Sequence, residues 1–387
     1  MSKKLTDENP VKINELKEAV RMSIIIKRAL MVWGPPGIGK SEAIEQIALE
    51  QNRPLIDLRL LLMEPTDLRG MPYKTEYIVF DDEGNEVRKE ETVRWAPPEE
   101  LPKIGFKDNA ILFLDEISAA APTVQAAAYQ LVLNRRIGPY ELPPGVDIIA
   151  AGNRMSDKAV AFRMPSALAN RFVHCTLTPN FSDWKDWAIS SGKVDASVIA
   201  YHIETGGSKL FTFDPKNHET AFATPRSWVF ASDMVTASKQ SNVSEKMLRI
   251  LVSGCIGEGI ANEFITFRRM EKQIPKTEDI LFGKVKDAKD LKDISAKYLV
   301  IINLCHYLKN YFGDRNIKSS KDIPENDAKS VVAMCDNFMS FVMEHLDDEL
   351  TILALQTALF HYRLPFPYQD MTTFDRFCDE YKEFVLD

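Results

Sequence analysis

Apolar residues between positions 11 and 28, namely Val11, Ile13, Leu16, Val20, Ile24 and Ile25, recur at roughly helical spacing and predict an amphipathic helix. The unbroken run Ala29-Leu30-Met31-Val32-Trp33 follows and predicts a buried strand. After a glycine-rich stretch, Ile44, Ile47 and Ala48 mark one face of a second helix. Asn52-Arg53-Pro54 breaks it, and Leu55-Ile56-Asp57-Leu58-Arg59 begins another strand. Two further apolar runs, Ile111-Leu112-Phe113-Leu114 and Ile148-Ile149-Ala150-Ala151, end in polar residues. Strands alternating with helices imply an α/β fold, a mostly parallel sheet with helices on both faces.

Two segments interrupt this alternation. Tyr77-Ile78-Val79-Phe80, the acidic turn Asp81-Asp82-Glu83-Gly84-Asn85, and the stretch 87–95 read as an exposed β-hairpin. It is bracketed by Glu64-Pro65-Thr66-Asp67-Leu68-Arg69-Gly70 and by Pro97-Pro98. The segment 134–145, with Arg135, Arg136 and Pro143-Pro144-Gly145, is a second insert. Surface inserts of this kind, here near 63–98 and 134–145, are where partners are contacted. A run over 158–171 closes on Ala169-Asn170-Arg171-Phe172. Beyond 180 the pattern is helical almost throughout, with Trp184 and Trp187 at i,i+3 and helical spacing through 243–270. The charged segment 272–293, with Pro275, reads as a linker or poorly packed stretch, and 298–311, 328–346 and 350–360 as further helices. The expected division is therefore an α/β domain over 1–178, a small helical domain over 179–271, and a helical region of unassigned role over 272–387.

The chemistry begins between the first strand and the helix after it. Gly34-Pro35-Pro36-Gly37-Ile38-Gly39-Lys40-Ser41 is a phosphate-binding loop pattern. Polyphosphate needs several backbone N–H groups converging on it, which a glycine-rich turn at a helix N-terminus supplies. Lys40 would reach the β- and γ-phosphates of ATP, and the Ser41 hydroxyl would ligand Mg²⁺. The strand over 111–114 runs into Asp115-Glu116. A helix-capping acid would explain one carboxylate and leave the second without a use. The pair fits Asp115 as holder of the Mg²⁺ hydration shell and Glu116 as the group that orients or deprotonates the attacking water.

Composition narrows the class. The chain has 387 residues, 45% hydrophobic and 27% charged, which is ordinary globular composition with material for more than one domain. A formal net charge of −8 argues against broad attraction to nucleic acid, although a local basic pore would escape that argument. Cys175, Cys255, Cys305, Cys335 and Cys378 are odd in number and widely spaced, as expected of buried thiols in a reducing compartment. His174 and Cys175, adjacent on a strand, point to opposite faces and read as structural. The first seven residues have no apolar core, and no segment reaches the length of a membrane span, so a cytoplasmic protein is expected.

Taken in order, the phosphate loop, Asp115-Glu116, Asn153, Arg171 and Arg226 within Ala223-Thr224-Pro225-Arg226-Ser227-Trp228 resemble the layout of AAA+ ATPases. The two inserts and the short lid make the chain similar to the MoxR family, over about residues 11–270. The resemblance implies an AAA+ parallel sheet sandwiched by helices, followed by an all-α lid and additional C-terminal helices. It also assigns roles. Asn153 resembles sensor 1, Arg226 resembles sensor 2 on the lid, and Arg171 resembles the arginine finger supplied to the nucleotide of the next subunit. Arg163 in Phe162-Arg163-Met164-Pro165 competes for that last role, and Arg154 directly follows the sensor asparagine. The implied activity is Mg-dependent ATP hydrolysis in a homo-oligomeric ring, most often a hexamer. The ring would remodel or mature a client protein, often one with a von Willebrand factor A domain. Two rival readings stand beside it. One is a DNA-directed AAA+ motor, a helicase or restriction translocase, using Arg135 and Arg136 on phosphates; the other is a nucleotide-gated scaffold with little turnover.

Overall fold

A computed structural model of the chain describes residues 9–157, 162–216, 219–241, 243–285, 288, 291 and 293–381. The expectation for the first seven residues, and residues 158–161 of the run over 158–171, lie outside these. The described residues divide into two compact units, one within 1–180 with 214–217, the other within 181–213 with 218–387.

The first unit runs β1 (Pro10–Val11), α1 (Ile13–Ile25), β2 (Ala29–Trp33), α2 (Lys40–Glu50), β3 (Leu55–Arg59), α3 (Pro65–Arg69), β4 (Met71–Phe80) and β5 (Glu86–Ala96). It continues with β6 (Ile111–Asp115), α4 (Pro122–Asn134), β7 (Arg136–Ile137), β8 (Tyr140–Glu141), β9 (Asp147–Gly152), α5 (Ser166–Ala169) and β10 (Phe172–Leu177). Six strands form one sheet in the order β1-β10-β2-β9-β6-β3, every pair parallel. Parallel strands covered on both faces lack polar alternation, and β6 and β9 are buried at every residue. Leu30, Met31 and Val32 of β2 are likewise out of contact with water. The helix ahead of β2 forms as its spacing predicts, but it buries only Leu16, Val20 and Ser23. Ile25, expected on the same face, is 72% exposed at the helix end, with Met22 and Ile26 exposed beside it.

Both inserts are hairpins built on this sheet unit. The first is longer than the pattern indicates, because it pairs Met71↔Ala96 through Phe80↔Glu86. Its residues are exposed on both faces apart from a few half-buried ones, so no core imposes the period-two signal that would have marked its start. Its root is fixed. Gly70 sits at φ +91°, and a Cβ there would fall 2.0 Å from the Ala96 carbonyl oxygen. The Arg69 guanidinium lies 4.3 Å from the centre of the Trp95 ring. The second insert is the short β7–β8 pair, and a Cβ on its Gly138 would fall 3.8 Å from Cγ of the same Arg69, so the two inserts are neighbours.

The second unit is helical: α6 (Phe181–Ser191), α7 (Ala196–Glu204), α8 (Pro225–Ser241), α9 (Glu245–Ile256), α10 (Glu258–Arg269), α11 (Thr277–Leu281), α12 (Ile294–Asp314), α13 (Glu325–His345), α14 (Asp348–Gln356) and α15 (Thr372–Glu380). One apolar core runs from Trp184 to Tyr381. The segment read as a linker contributes to it, through α11 and its buried Ile280 and Leu281, and Asn337 Nδ2 donates to the Leu281 carbonyl at 2.8 Å. One helical turn is too short to display a period, which is why charge dominated that reading. At the centre of the core His202 has no exposed surface. Its ring centre is 4.3 Å from that of Trp228, 4.9 Å from Trp184 and 5.5 Å from Tyr201. Among the described residues neither of its ring nitrogens has a hydrogen-bond partner.

Candidate active site

The carboxyl ends of β2, β6 and β9 lie side by side, and at that edge of a parallel sheet the connecting loops open a crevice. The loop 34–39 leaves β2 there, anchored by Gly34 N donating to the Gly152 carbonyl of β9 at 3.3 Å. Gly39 starts α2 with φ +93° and ψ 26°, and no side chain caps the helix, so its first N–H groups face the loop. Lys40 Nζ donates to the Gly34 carbonyl at 2.7 Å, the Pro35 carbonyl at 3.0 Å and Asn153 Oδ1 at 2.8 Å. Ser41 Oγ donates to Asp115 Oδ2 at 2.7 Å. Lys40, Ser41, Asp115 and Asn153, from three separate stretches of chain, thus form one connected cluster.

Glu116 carries the backbone signature of the site. It is half-buried at φ +54°, a conformation that costs a non-glycine residue about 1–2 kcal/mol. The turn is held by Glu116 N donating to Asp115 Oδ1 at 2.8 Å, Ile117 N to the Ala151 carbonyl at 3.0 Å, and Ala119 N to the Glu116 carbonyl at 2.9 Å. Asp57 on the neighbouring strand has its carboxyl raised above the ordinary range, by burial first and then by the charge of Asp115, with Arg59 opposing. The carboxyl groups of Asp57 and Asp115 are thus close enough to repel each other.

Arg171 occupies the other end of the sheet. It immediately precedes β10, whose first residue pairs with Ala29, whereas the phosphate loop follows Trp33. At strand rise, roughly 16 Å separates these levels, beyond the reach of a side chain into its own phosphate loop.

Residues 30–175 match the family described as ATPase family associated with various cellular activities (AAA). No curated protein matches the chain. Among solved structures, NtrX from Brucella abortus is 15% identical over 91% of this chain and 69% of its own, with a TM-score of 0.32. RuvB of Thermotoga maritima is 15% identical over 70% of this chain and 76% of its own, with a TM-score of 0.37.

At this cluster Mg²⁺ would be shared between protein and nucleotide. Among the described residues no three His, Cys, Asp or Glu side chains gather to hold a metal by themselves. The Ser41 hydroxyl and Asp115 carboxylate are hard oxygen donors already in contact, the set that suits Mg²⁺ completed by phosphates and water. When bound there, the ion would neutralise phosphate charge.

The remaining arginines differ in availability. Arg154 is held in place by a hydrogen bond from its guanidinium to Thr176 Oγ1. Arg163 is exposed. Arg226 stands exposed in the first turn of α8 in the second unit, where Thr224 and Ser227 fix the helix start through reciprocal hydrogen bonds of 3.1 and 2.8 Å. Arg135, read above as a phosphate contact, turns inward to donate to the Pro143 and Val146 carbonyls at 2.8 and 2.6 Å. Of the two arginines on the second insert, Arg136 is the exposed one.

Two supporting residues escaped the sequence reading. Ser118 is 2% exposed, and its Oγ accepts from Asn153 N at 3.0 Å, which sets the height of the sensor asparagine. Trp33 Nε1 donates to His174 Nδ1 at 2.9 Å, and His174 Nε2 then donates to the Ala169 carbonyl at 2.7 Å. His174 is therefore part of the strand packing beside the loop. Burial pushes the neighbouring Cys175 thiol up to about 12. Among the described residues no helix is long and apolar enough to cross a membrane.

Proposed function

We propose that the chain hydrolyses ATP with Mg²⁺ in a head-to-tail ring and uses the cycle to remodel a partner protein, in the manner of MoxR-type ATPases. The observation that carries the reading is the cluster of Lys40, Ser41, Asp115 and Asn153 beside a strained Glu116, with Arg171 at the opposite end of the sheet. A phosphate entering the loop competes for the Lys40 ammonium and meets the uncapped start of α2. Ser41 and Asp115 would hold the metal together with the phosphates. Glu116 takes a proton from the water that attacks the γ-phosphorus, the bond to the ADP oxygen breaks, and Asn153 orients the water or the departing phosphate. Arg171 stabilises the spreading charge on a neighbouring subunit's nucleotide. Arg226, on the helical unit, reads the phosphates as sensor 2.

The adjoining inserts, joined through Arg69, offer the surface for a client, including one with a von Willebrand factor A domain. The inward turn of Arg135 weakens the DNA-directed alternative. The presence of Glu116 and Arg171, a base for the water and a cation for the spreading charge, disfavours a scaffold that scarcely turns over.

The test is steady-state hydrolysis across protein concentration, with particle mass followed in parallel. Specific activity should rise as rings assemble. Glu116→Gln should keep ATP binding and lose turnover by about 10²–10⁴-fold, the worth of a positioned general base. Turnover in Glu116→Gln equal to wild type would refute the assignment.

A further inference from the structure

The end of the sheet opposite the phosphate loop bears a cavity of about 200 Å³ lined by Lys27, Arg28, Arg135 and Arg171, with Asp147 as its acid. Four cations and one carboxylate mark an anion receptor, but the four are not equivalent. Lys27 Nζ sits 3.1 Å from Asp147, which also takes Arg53 at 2.8 Å. Arg135 is engaged by two carbonyls, and burial depresses its pKa. Arg28 and Arg171 are both exposed, and among the described residues neither guanidinium has a partner. They precede Ala29 and Phe172, which pair across β2 and β10, so the two arginines sit on adjacent strands at one level. Neighbouring strands lie about 4.8 Å apart, a spacing that lets two guanidinium groups share one phosphate.

We infer that Arg28 is a second cation supplied in trans, acting with Arg171 on the terminal phosphates of the adjacent subunit's nucleotide. The inference rests on the ring reading above. Its physical basis is the polarity of the sheet unit. One end gathers Asp57, Asp115 and Glu116 and takes the polyphosphate, and the other end presents the exposed Arg28 and Arg171. Copies stacked head to tail pair those ends, and such a heterologous contact closes into a ring when its rotation allows. The surface next to Arg28 suits a second copy as occupant. Met22 and Ile25 at the end of α1, and Ile26 just after it, are 52%, 72% and 52% exposed, an apolar rim beside the cationic pair.

The test is subunit complementation in the full chain. Arg28→Ala should lower kcat roughly 10- to 100-fold, the worth of one charge-assisted hydrogen bond, with Arg28→Lys recovering part of it. Arg28→Ala is then mixed with Lys40→Ala, whose own phosphate loop is disabled but whose arginines are intact. If Arg28 acts in trans, activity reappears, since about a quarter of junctions in a random equimolar ring join an intact loop to an intact arginine. Wild-type turnover in Arg28→Ala overturns the inference. So does failure of this mixture when Arg171→Ala with Lys40→Ala recovers, an outcome that leaves the ring standing. If neither mixture recovers and wild-type turnover is independent of assembly, the ring reading falls and the inference with it.

Discussion

Replacing His202 by phenylalanine tests the packing of the helical unit through a charge that the native fold refuses. His202 is enclosed by Trp184, Tyr201 and Trp228, and burial holds its pKa down at about 3, against 6.5 for a free histidine. Above pH 6.5 the ring is neutral in folded and unfolded chains alike. Between 6.5 and about 3 only the unfolded chain takes up the proton, so stability falls as pH falls. Each pH unit in that window removes ~1.4 kcal/mol, or ~2 kcal/mol between pH 6.5 and 5. Phenylalanine is larger than histidine by somewhat more than a methylene but leaves no unpaired ring nitrogen, so overpacking and the relief of the buried nitrogens oppose each other and at pH 7.5 His202→Phe should lie within ~3 kcal/mol of wild type. Urea unfolding followed by tryptophan emission is a suitable assay, because Trp184 and Trp228 touch the substituted ring. Wild type should lose ~2 kcal/mol more than His202→Phe between pH 7.5 and 5. Equal losses in the two proteins would show that His202 is hydrated or paired in solution, and the argument would fail.

Ser118→Ala removes the acceptor beneath Asn153 N and leaves that N–H unpaired. A loss of ~1–3 kcal/mol should appear in kcat more than in nucleotide affinity, measured by steady-state and equilibrium titration. Loss confined to affinity would contradict the positioning role. Gly39→Ala meets no atom within 4 Å, so only its φ of +93° opposes the new side chain. Nucleotide binding should weaken by ~1–2 kcal/mol, roughly 5- to 30-fold, in direct titration, while global stability changes little. Unchanged affinity would mean that the loop does not need its left-handed turn.

Strands β2, β6 and β9 were legible because burial on both faces writes a strand as an unbroken apolar run, whereas the two-residue β1 was not, and its Val11 read as part of the helix that follows. The phosphate loop and Asp115-Glu116 were legible because their spacing is local. Contacts between distant positions were not. Ser118 meets Asn153 across 35 residues, and Trp33 meets His174 across 141. Serine after a strand, or histidine inside one, carries no local sign of such a partner. The direction of Arg135 depended on two carbonyls that only the folded turn presents. The full length of the first insert was hidden for the opposite reason, since an element with no buried face has no pattern to read.

That insert is a lever. From Gly70 to the turn at Asp81 the ribbon spans ten residues of strand, about 33 Å at the usual rise, without a core of its own. It is gripped at the root, where Ala96 crowds Gly70 and Arg69 covers Trp95. A rotation of α3 by about 5° would carry the tip through about 3 Å at this arm length. A displacement too small to disturb core packing becomes, at the tip, comparable to the slip of one residue along a bound chain.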